Sequence, residues 1–241
     1  SHSNMPTYPQ WEATVLEATY EQVDYISLHM YFENYEKNTA EYLALPAKLD
    51  RYIGTVAGII DYVKAKTRSK RDVKISFDEW NVWYHQRKLD AERMRAWDWP
   101  EAPRLLEDIY NFEDVLQVGC IINTFIRRSD IVRVACIAQL VNVIAPIMTD
   151  PGGAAWRQTI YWPFILASKH GRGTALQLAV EVPTYDAAAA DKVPWLDISG
   201  VHDSNAGTLT FFAINRHGSE TIEADVALER FAAKSIEHTI I

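Results

Sequence analysis

Hydrophobic and polar positions in the first two-thirds of the chain alternate between two patterns. Val23-Asp24-Tyr25-Ile26-Ser27-Leu28 is short, β-branched and aromatic, which predicts a buried strand. Leu49, Ile53, Val56, Ile60 and Val63 then recur at three- and four-residue spacing, the mark of a helix with one apolar face. Val73-Lys74-Ile75-Ser76-Phe77 reads as the next strand. A charged, tryptophan-containing connection follows over residues 81–104. A second helix is expected over residues 112–126, with Asn111 as its N-cap. Residues 131–143 mix β-branched and small side chains and read as a strand turning into a helix. Strand-helix-strand alternation at this spacing indicates a parallel α/β sheet or barrel.

After Pro151-Gly152-Gly153 the pattern changes. Residues 158–170 read as helical, and beyond them the hydrophobic period drops to two over residues 176–182, 208–215 and 222–228. Asn205-Ala206-Gly207 and His217-Gly218-Ser219 supply turns between these runs. This predicts an antiparallel sheet with one wet face, most simply half of a sandwich. The expected division is an α/β part over residues 1–155 and an all-β part over residues 156–241. Three parallel strands do not close a barrel, and three or four antiparallel strands rarely complete a sandwich. Both parts are therefore expected to belong to something longer, or to fold against further segments.

Composition narrows the class. The chain has 241 residues, 48% of them hydrophobic and 23% charged, which suits a sizeable core and argues against extensive disorder. A formal net charge of -8 disfavours a nucleic-acid partner, whose phosphates select basic surfaces. The one basic run, residues 64–71, falls where the first helix should end and is read as a solvated terminus that complements the helix dipole. Cys120 and Cys136 make neither a disulfide framework nor a metal knuckle, and their apolar surroundings predict buried free thiols. No apolar run reaches the length of a membrane span, and the first residues lack signal-peptide character. A reducing, cytoplasmic setting is expected.

In a parallel barrel, chemistry sits at the C-terminal ends of the strands. Three such ends are legible: Leu28-His29-Met30-Tyr31, Phe77-Asp78-Glu79-Trp80-Asn81, and the region of Ala138-Gln139-Leu140-Val141-Asn142. Carboxylates beside aromatic rings suit sugar chemistry, because a carboxylate stabilises an oxocarbenium-like transition state. Asp78 and Glu79 are adjacent, so a regular strand would turn only one of them toward a site, and periodicity does not choose between them. Each feature also has a plainer role. A strand-end carboxylate often caps backbone groups, His29 would serve as a hydrogen-bonded structural histidine, and Trp83, Trp97 and Trp99 would pack. Gln139 and Asn142 would satisfy the end of a strand.

These same residues resemble glycoside hydrolase family 51, the α-L-arabinofuranosidases. The resemblance is carried by Asp24-Tyr25-Ile26-Ser27-Leu28-His29-x-Tyr31 and by Phe77-Asp78-Glu79-Trp80-Asn81-Val82-Trp83. It continues through the runs at residues 105–114, 138–147 and 156–161 and into Val193-Pro194-Trp195-Leu196-Asp197. It implies the C-terminal part, strands six to eight, of a (β/α)8 TIM barrel, followed by a partial, jelly-roll-like antiparallel β-sandwich. It further implies that Glu79 is the nucleophile of a retaining mechanism and that Tyr31 hydrogen-bonds it and helps keep it ionised. His29 would lie near the catalytic carboxylates, Trp83 and Gln139 would line the arabinose subsite, and Asp78 would be structural. Trp97 and Trp99, in the connection after the nucleophile strand, are expected to shape the leaving-group subsite.

The family's acid/base glutamate follows an asparagine, and no Asn-Glu pair occurs in this sequence. The resemblance thus implies a chain that carries the nucleophile but not the acid/base. The expected substrate is a terminal α-L-arabinofuranosyl unit of arabinan, arabinoxylan or derived oligosaccharides, with no metal or organic cofactor. Partners would be further copies of the chain or a complementing N-terminal portion. The alternatives are a non-catalytic fragment that binds sugar or assembles with its other half, and a family member acting on glucan or xylan.

Overall fold

The computed structural model describes residues 2–97, 100–228 and 231–241. The chain opens with helix α1 (Gln10–Thr19), which precedes strand β1 (Tyr25–Phe32). Along β1, Ile26, Leu28, Met30 and Phe32 are buried, whereas Tyr25 and Ser27 are exposed and His29 and Tyr31 only half-buried. That period of two sets the two faces of the strand. Short helix α2 (Thr39–Ala44) is capped by the Asn38 side chain, which accepts from the Glu41 N–H. Pro46 then opens helix α3 (Pro46–Thr67), whose buried face carries Leu49, Ile53, Val56, Ile60 and Val63 as the spacing predicts. The helix ends at Arg68 in the left-handed conformation. The basic run there is solvated, Lys66 pairing with Glu17 at 2.7 Å and Lys64 pairing with Asp72.

Strand β2 (Lys74–Val82) pairs parallel with β1. Helix α4 (Arg87–Arg95) lies within the long connection of residues 81–104, for which the pattern predicts no element. Helix α5 (Phe112–Arg127) starts at a capping box in which Asn111 and Asp114 exchange backbone bonds. Strand β3 (Val132–Ile137) adds parallel to β2 and completes a sheet ordered β1-β2-β3. No helix continues from β3, contrary to expectation. Asn142 and Ile144 adopt positive φ, and Asn142 is tied to Thr149 by a 2.7 Å bond from the Thr149 N–H, which fixes an irregular turn.

Strands β4 (Ile147–Thr149) and β5 (Ala155–Arg157) form a hairpin, and helix α6 (Tyr161–His170) follows as predicted. Its Phe164 stacks on Trp80, so α6 packs on the parallel-sheet core. Then come β6 (Thr174–Leu176), the hairpin of β7 (Thr184–Ala187) and β8 (Ala190–Pro194), and the long pair β9 (Leu196–Asp203) and β10 (Thr208–Asn215). The second three-stranded sheet is antiparallel, ordered β10-β9-β6. Its turn is as expected: Gly207 takes φ +67°, and Asp203 Oδ1 accepts from the N–H groups of Asn205 and Ala206.

Two strand predictions fail in part. Past Leu176 the ladder to β9 stops, although Leu178 still lies beside Gly200. Residues 222–228 form no strand. Alternation supplies a wet and a dry face but no partner, and most of this segment is exposed. Of the two thiols only Cys120 is buried. Cys136 is exposed because it sits on β3, a sheet edge with no further strand beside it among the described residues.

Helix α5 joins the two sheets and is buried along almost its whole length. On one side Phe125 packs against Phe77 and Trp80. On the other, Asn123 Nδ2 donates to Asp197 Oδ1 at 3.2 Å and Asn123 Oδ1 accepts from Ser199 at 2.7 Å. Asp197, nearly inaccessible, also pairs with Arg127 at 2.5 Å and with Arg216. Such a buried charge persists only when its oxygens are fully engaged, and here they are.

Candidate active site

The register between β1 and β2 slips by one residue: Ser27 faces Ser76, but His29 faces Glu79. This bulge places one extra residue on β2. As a result Asp78 and Glu79, which a regular strand would turn to opposite sides, both reach His29. The His29 Nε2 lies 3.1 Å from Asp78 Oδ1 and its Nδ1 lies 3.5 Å from Glu79 Oε2. The expectation that only one carboxylate faces the site is corrected by this irregularity.

Each carboxylate has its own further partners. Ser27 Oγ donates to Asp78 Oδ1 at 2.7 Å and Ser76 Oγ to Asp78 Oδ2 at 3.2 Å. Tyr31 donates to Glu79 Oε1 at 2.8 Å. Burial, reinforced by that bond to Glu79, pushes the Tyr31 phenol well above its ordinary range, so it stays protonated and remains a donor. Near the N-terminus, His2 bridges to His29 in parallel fashion, and burial together with the neighbouring His29 lowers its pKa.

Trp83 lies just past the end of β2. Its ring meets Tyr31 edge-on at 5.2 Å, the Arg87 guanidinium covers it at 4.5 Å, and its buried Nε1 has no hydrogen-bond partner among the described residues. Gln139 is two residues past the end of β3, exposed, at the same end of the sheet. The structure thus gathers His29, Tyr31, Glu79 and Trp83, with Gln139 on the adjacent strand end. Trp97 follows α4 half-buried, and among the described residues no hydrogen bond or ring contact joins its side chain to that group. Trp99 lies outside the described residues.

A buried frame holds the segment after β2. Asp108 is inaccessible and accepts from three consecutive backbone N–H groups, those of Tyr84, His85 and Gln86, at 3.1, 3.0 and 2.9 Å. Asp114, also inaccessible, takes His85 Nε2 at 2.7 Å and the Tyr42 hydroxyl at 3.1 Å. Asn81 Nδ2 reaches across to the Ala138 carbonyl at 2.7 Å and to that of Ile144, locking the ends of β2 and β3 together. Sequence reasoning missed Ser27 and Ser76 as partners of Asp78. Ser27 was legible, because it precedes His29 by two on one strand and must share its face.

A set of polar side chains at the C-terminal ends of parallel strands is where a barrel enzyme keeps its chemistry. The family described as the α-L-arabinofuranosidase C-terminal domain matches residues 78–241. An intracellular exo-α-(1→5)-L-arabinofuranosidase from Halalkalibacterium halodurans is 48% identical over 242 residues, covering 100% of this chain and 48% of that protein. One from Bacillus subtilis shows the same identity and coverage. Among solved structures, a family 51 α-L-arabinofuranosidase from Bifidobacterium longum superposes with a TM-score of 0.83 at 36% identity, over 89% of this chain and 44% of that one. The chain belongs to the α-L-arabinofuranosidases of glycoside hydrolase family 51, matching their C-terminal portion. It spans about half the length of the curated relatives it matches.

Proposed function

We propose that this chain is the nucleophile-bearing portion of a retaining α-L-arabinofuranosidase, with Glu79 as the nucleophile. The observation that carries the reading is the pairing of Glu79 with Tyr31 and His29 on adjacent parallel strand ends. In the first step Glu79 attacks the anomeric carbon of a terminal arabinofuranosyl unit, forming a glycosyl ester as the glycosidic C–O bond breaks. The leaving oxygen takes its proton from a second carboxylic acid, which then serves as base for the water that cleaves the ester. Retention requires that group about 5 Å from the nucleophile. Asp78 is held by Ser27, Ser76 and His29, so the proton donor is assigned to a glutamate outside this sequence. The chemistry calls for no metal or organic cofactor.

Trp83 and Gln139 would line the sugar subsite, and the connection carrying Trp97 and Trp99 would border the leaving group. The barrel part is assigned to residues 1–155 and the sandwich part to residues 156–241. The names of the Halalkalibacterium halodurans and Bacillus subtilis relatives favour α-(1→5)-linked arabinan as substrate and the cell interior as the site of action. The 241 residues alone, with no further strand beyond β3 among the described residues, are expected to bind sugar without rapid turnover.

The test is chemical rescue in a protein containing both this chain and the proton donor. Glu79→Ala should abolish hydrolysis, and added azide should restore turnover and give an arabinosyl azide of inverted configuration. Undiminished hydrolysis by the variant would overturn the assignment.

A further inference from the structure

A cavity of about 470 Å³ lies where the segment between β1 and α2 meets the second sheet, and it shares no lining residue with the Glu79 site. One wall carries Lys37 and Asn38. The other carries Trp195, between β8 and β9, and Arg216 and His217, just past the end of β10. The size falls in the usual range of small-ligand sites, roughly 300–1,000 Å³. The two walls are fixed to each other by Tyr185, which stacks on Trp195 at 4.0 Å and donates its hydroxyl to the Ala40 carbonyl at 2.9 Å.

What these walls offer is hydrogen-bond donors. His217 Nδ1 accepts from the Ser219 and Glu220 N–H groups at 3.3 and 2.9 Å, so the neutral ring carries its proton on Nε2. The exposed Glu220 carboxylate stands 3.8 Å from that nitrogen, beyond hydrogen-bond reach. Asn38 spends its amide oxygen on the Glu41 N–H, which leaves its Nδ2 to donate. Lys37 is exposed, and among the described residues no carboxylate pairs with its ammonium. Behind these donors lies surplus positive charge: Arg216, 5% exposed, and Arg127 share the single carboxylate of Asp197. The nearby Glu113 is spent on Asn34 and Thr39. Among the described residues no acidic side chain lines the cavity.

Donors set over uncompensated guanidinium charge select an anion, because each bond to it is charge-assisted. A neutral sugar fits poorly. Its hydroxyls need acceptors as well as donors, and the Trp195 ring is already stacked on Tyr185 and met by His217 at 4.5 Å. A phosphate group presents three terminal oxygens to the three donors of Lys37, Asn38 and His217, whereas a carboxylate presents two. The volume left over admits a small organic remainder.

We propose that this cavity binds a phosphate group, free or as the ester of a small molecule, on Lys37, Asn38 and His217. The full chain is titrated with inorganic phosphate, glycerol 3-phosphate and acetate at constant ionic strength, and the backbone amide and imidazole signals are followed by NMR. Both phosphates are expected to give saturable shifts at Lys37, Asn38, Gly218 and the His217 ring, with acetate bound roughly tenfold more weakly. Tighter binding of glycerol 3-phosphate than of phosphate would support an ester as the ligand, and equal affinity would support the free anion. Lys37→Gln should weaken phosphate roughly fivefold to tenfold, and Lys37→Arg should retain it. Asn38→Asp keeps the oxygen that caps α2 but sets a carboxylate against the anion, so it should abolish binding while the melting temperature without phosphate stays near that of the parent. Phosphate shifts that never saturate would overturn the proposal, as would equal affinity for phosphate and acetate or unchanged binding in Lys37→Gln. None of these measurements depends on hydrolysis, so the outcome is independent of the role given to Glu79.

Discussion

Tyr31 and Glu79 stand on neighbouring parallel strands, joined by a 2.8 Å bond from the phenol to the carboxylate. The phenol is itself wedged against Trp83, so the donor cannot swing away freely. Under the proposed mechanism the bond aims the nucleophile rather than binding the sugar. In an enzyme that also holds the proton donor, Tyr31→Phe should lower kcat by roughly 10–100-fold and change KM little. Steady-state kinetics on an aryl arabinofuranoside would read this. A raised KM with unchanged kcat would instead make Tyr31 a substrate contact.

Asp108 organises the segment after β2 by accepting three consecutive N–H groups while wholly buried. Burial raises the pKa of this carboxyl, against the three bonds, which lower it. Asp108→Ala would strand three donors away from water. It should cost about 2–4 kcal/mol of stability, seen as a lower urea midpoint with an unchanged slope. A midpoint within error of the parent would mean that water or a shifted backbone replaces the clamp.

The broad architecture was legible because periodicity reports faces. Ile26, Leu28, Met30 and Phe32 against Ser27, His29 and Tyr31, and the stripe on α3, could be read directly. What periodicity cannot report is register between strands. The slip that brings Asp78 and Glu79 to the same histidine depends on how β2 meets β1, which no single segment encodes. The failed strand at residues 222–228 and the irregular turn after β3 have the same origin: both were decided by pairing, of strand with strand or of Asn142 with Thr149 beyond its own segment, that a local pattern does not carry. Candidate chemistry fared in proportion. Residues placed by strand ends gathered, whereas Trp97, placed only by lying in the following connection, makes no hydrogen bond or ring contact with them among the described residues.

His85 gives the fold a pH dependence. Burial opposes its protonation, yet the 2.7 Å bond to Asp114 and the surrounding carboxylates outweigh it, so its pKa stands above the ordinary 6.5. A histidine whose pKa is raised by folding contributes stability in full below the unfolded value. That contribution is lost as pH rises through the folded value. Thermal melting of the chain should therefore show stability declining above pH 6.5 until His85 is neutral, and His85→Gln should remove this part of the slope. An identical slope in the variant would assign the dependence to other groups.

Gly173 precedes β6 with φ +104°, and a Cβ there would lie 2.2 Å from the His202 carbonyl oxygen. That carbonyl belongs to backbone already paired with Thr174, so it cannot retreat without opening the ladder. Gly207 makes a useful control, since it also has positive φ, +67°, but open space around its missing side chain. Gly207→Ala should cost only the left-handed strain, about 1–2 kcal/mol. Gly173→Ala adds the clash and should cost roughly 3–5 kcal/mol, an effect in the range reserved for a named steric cause. Denaturant melts of the two variants side by side would separate conformation from contact. Equal losses would mean that the second sheet gives way at Gly173 and that β6 contributes little to holding it together.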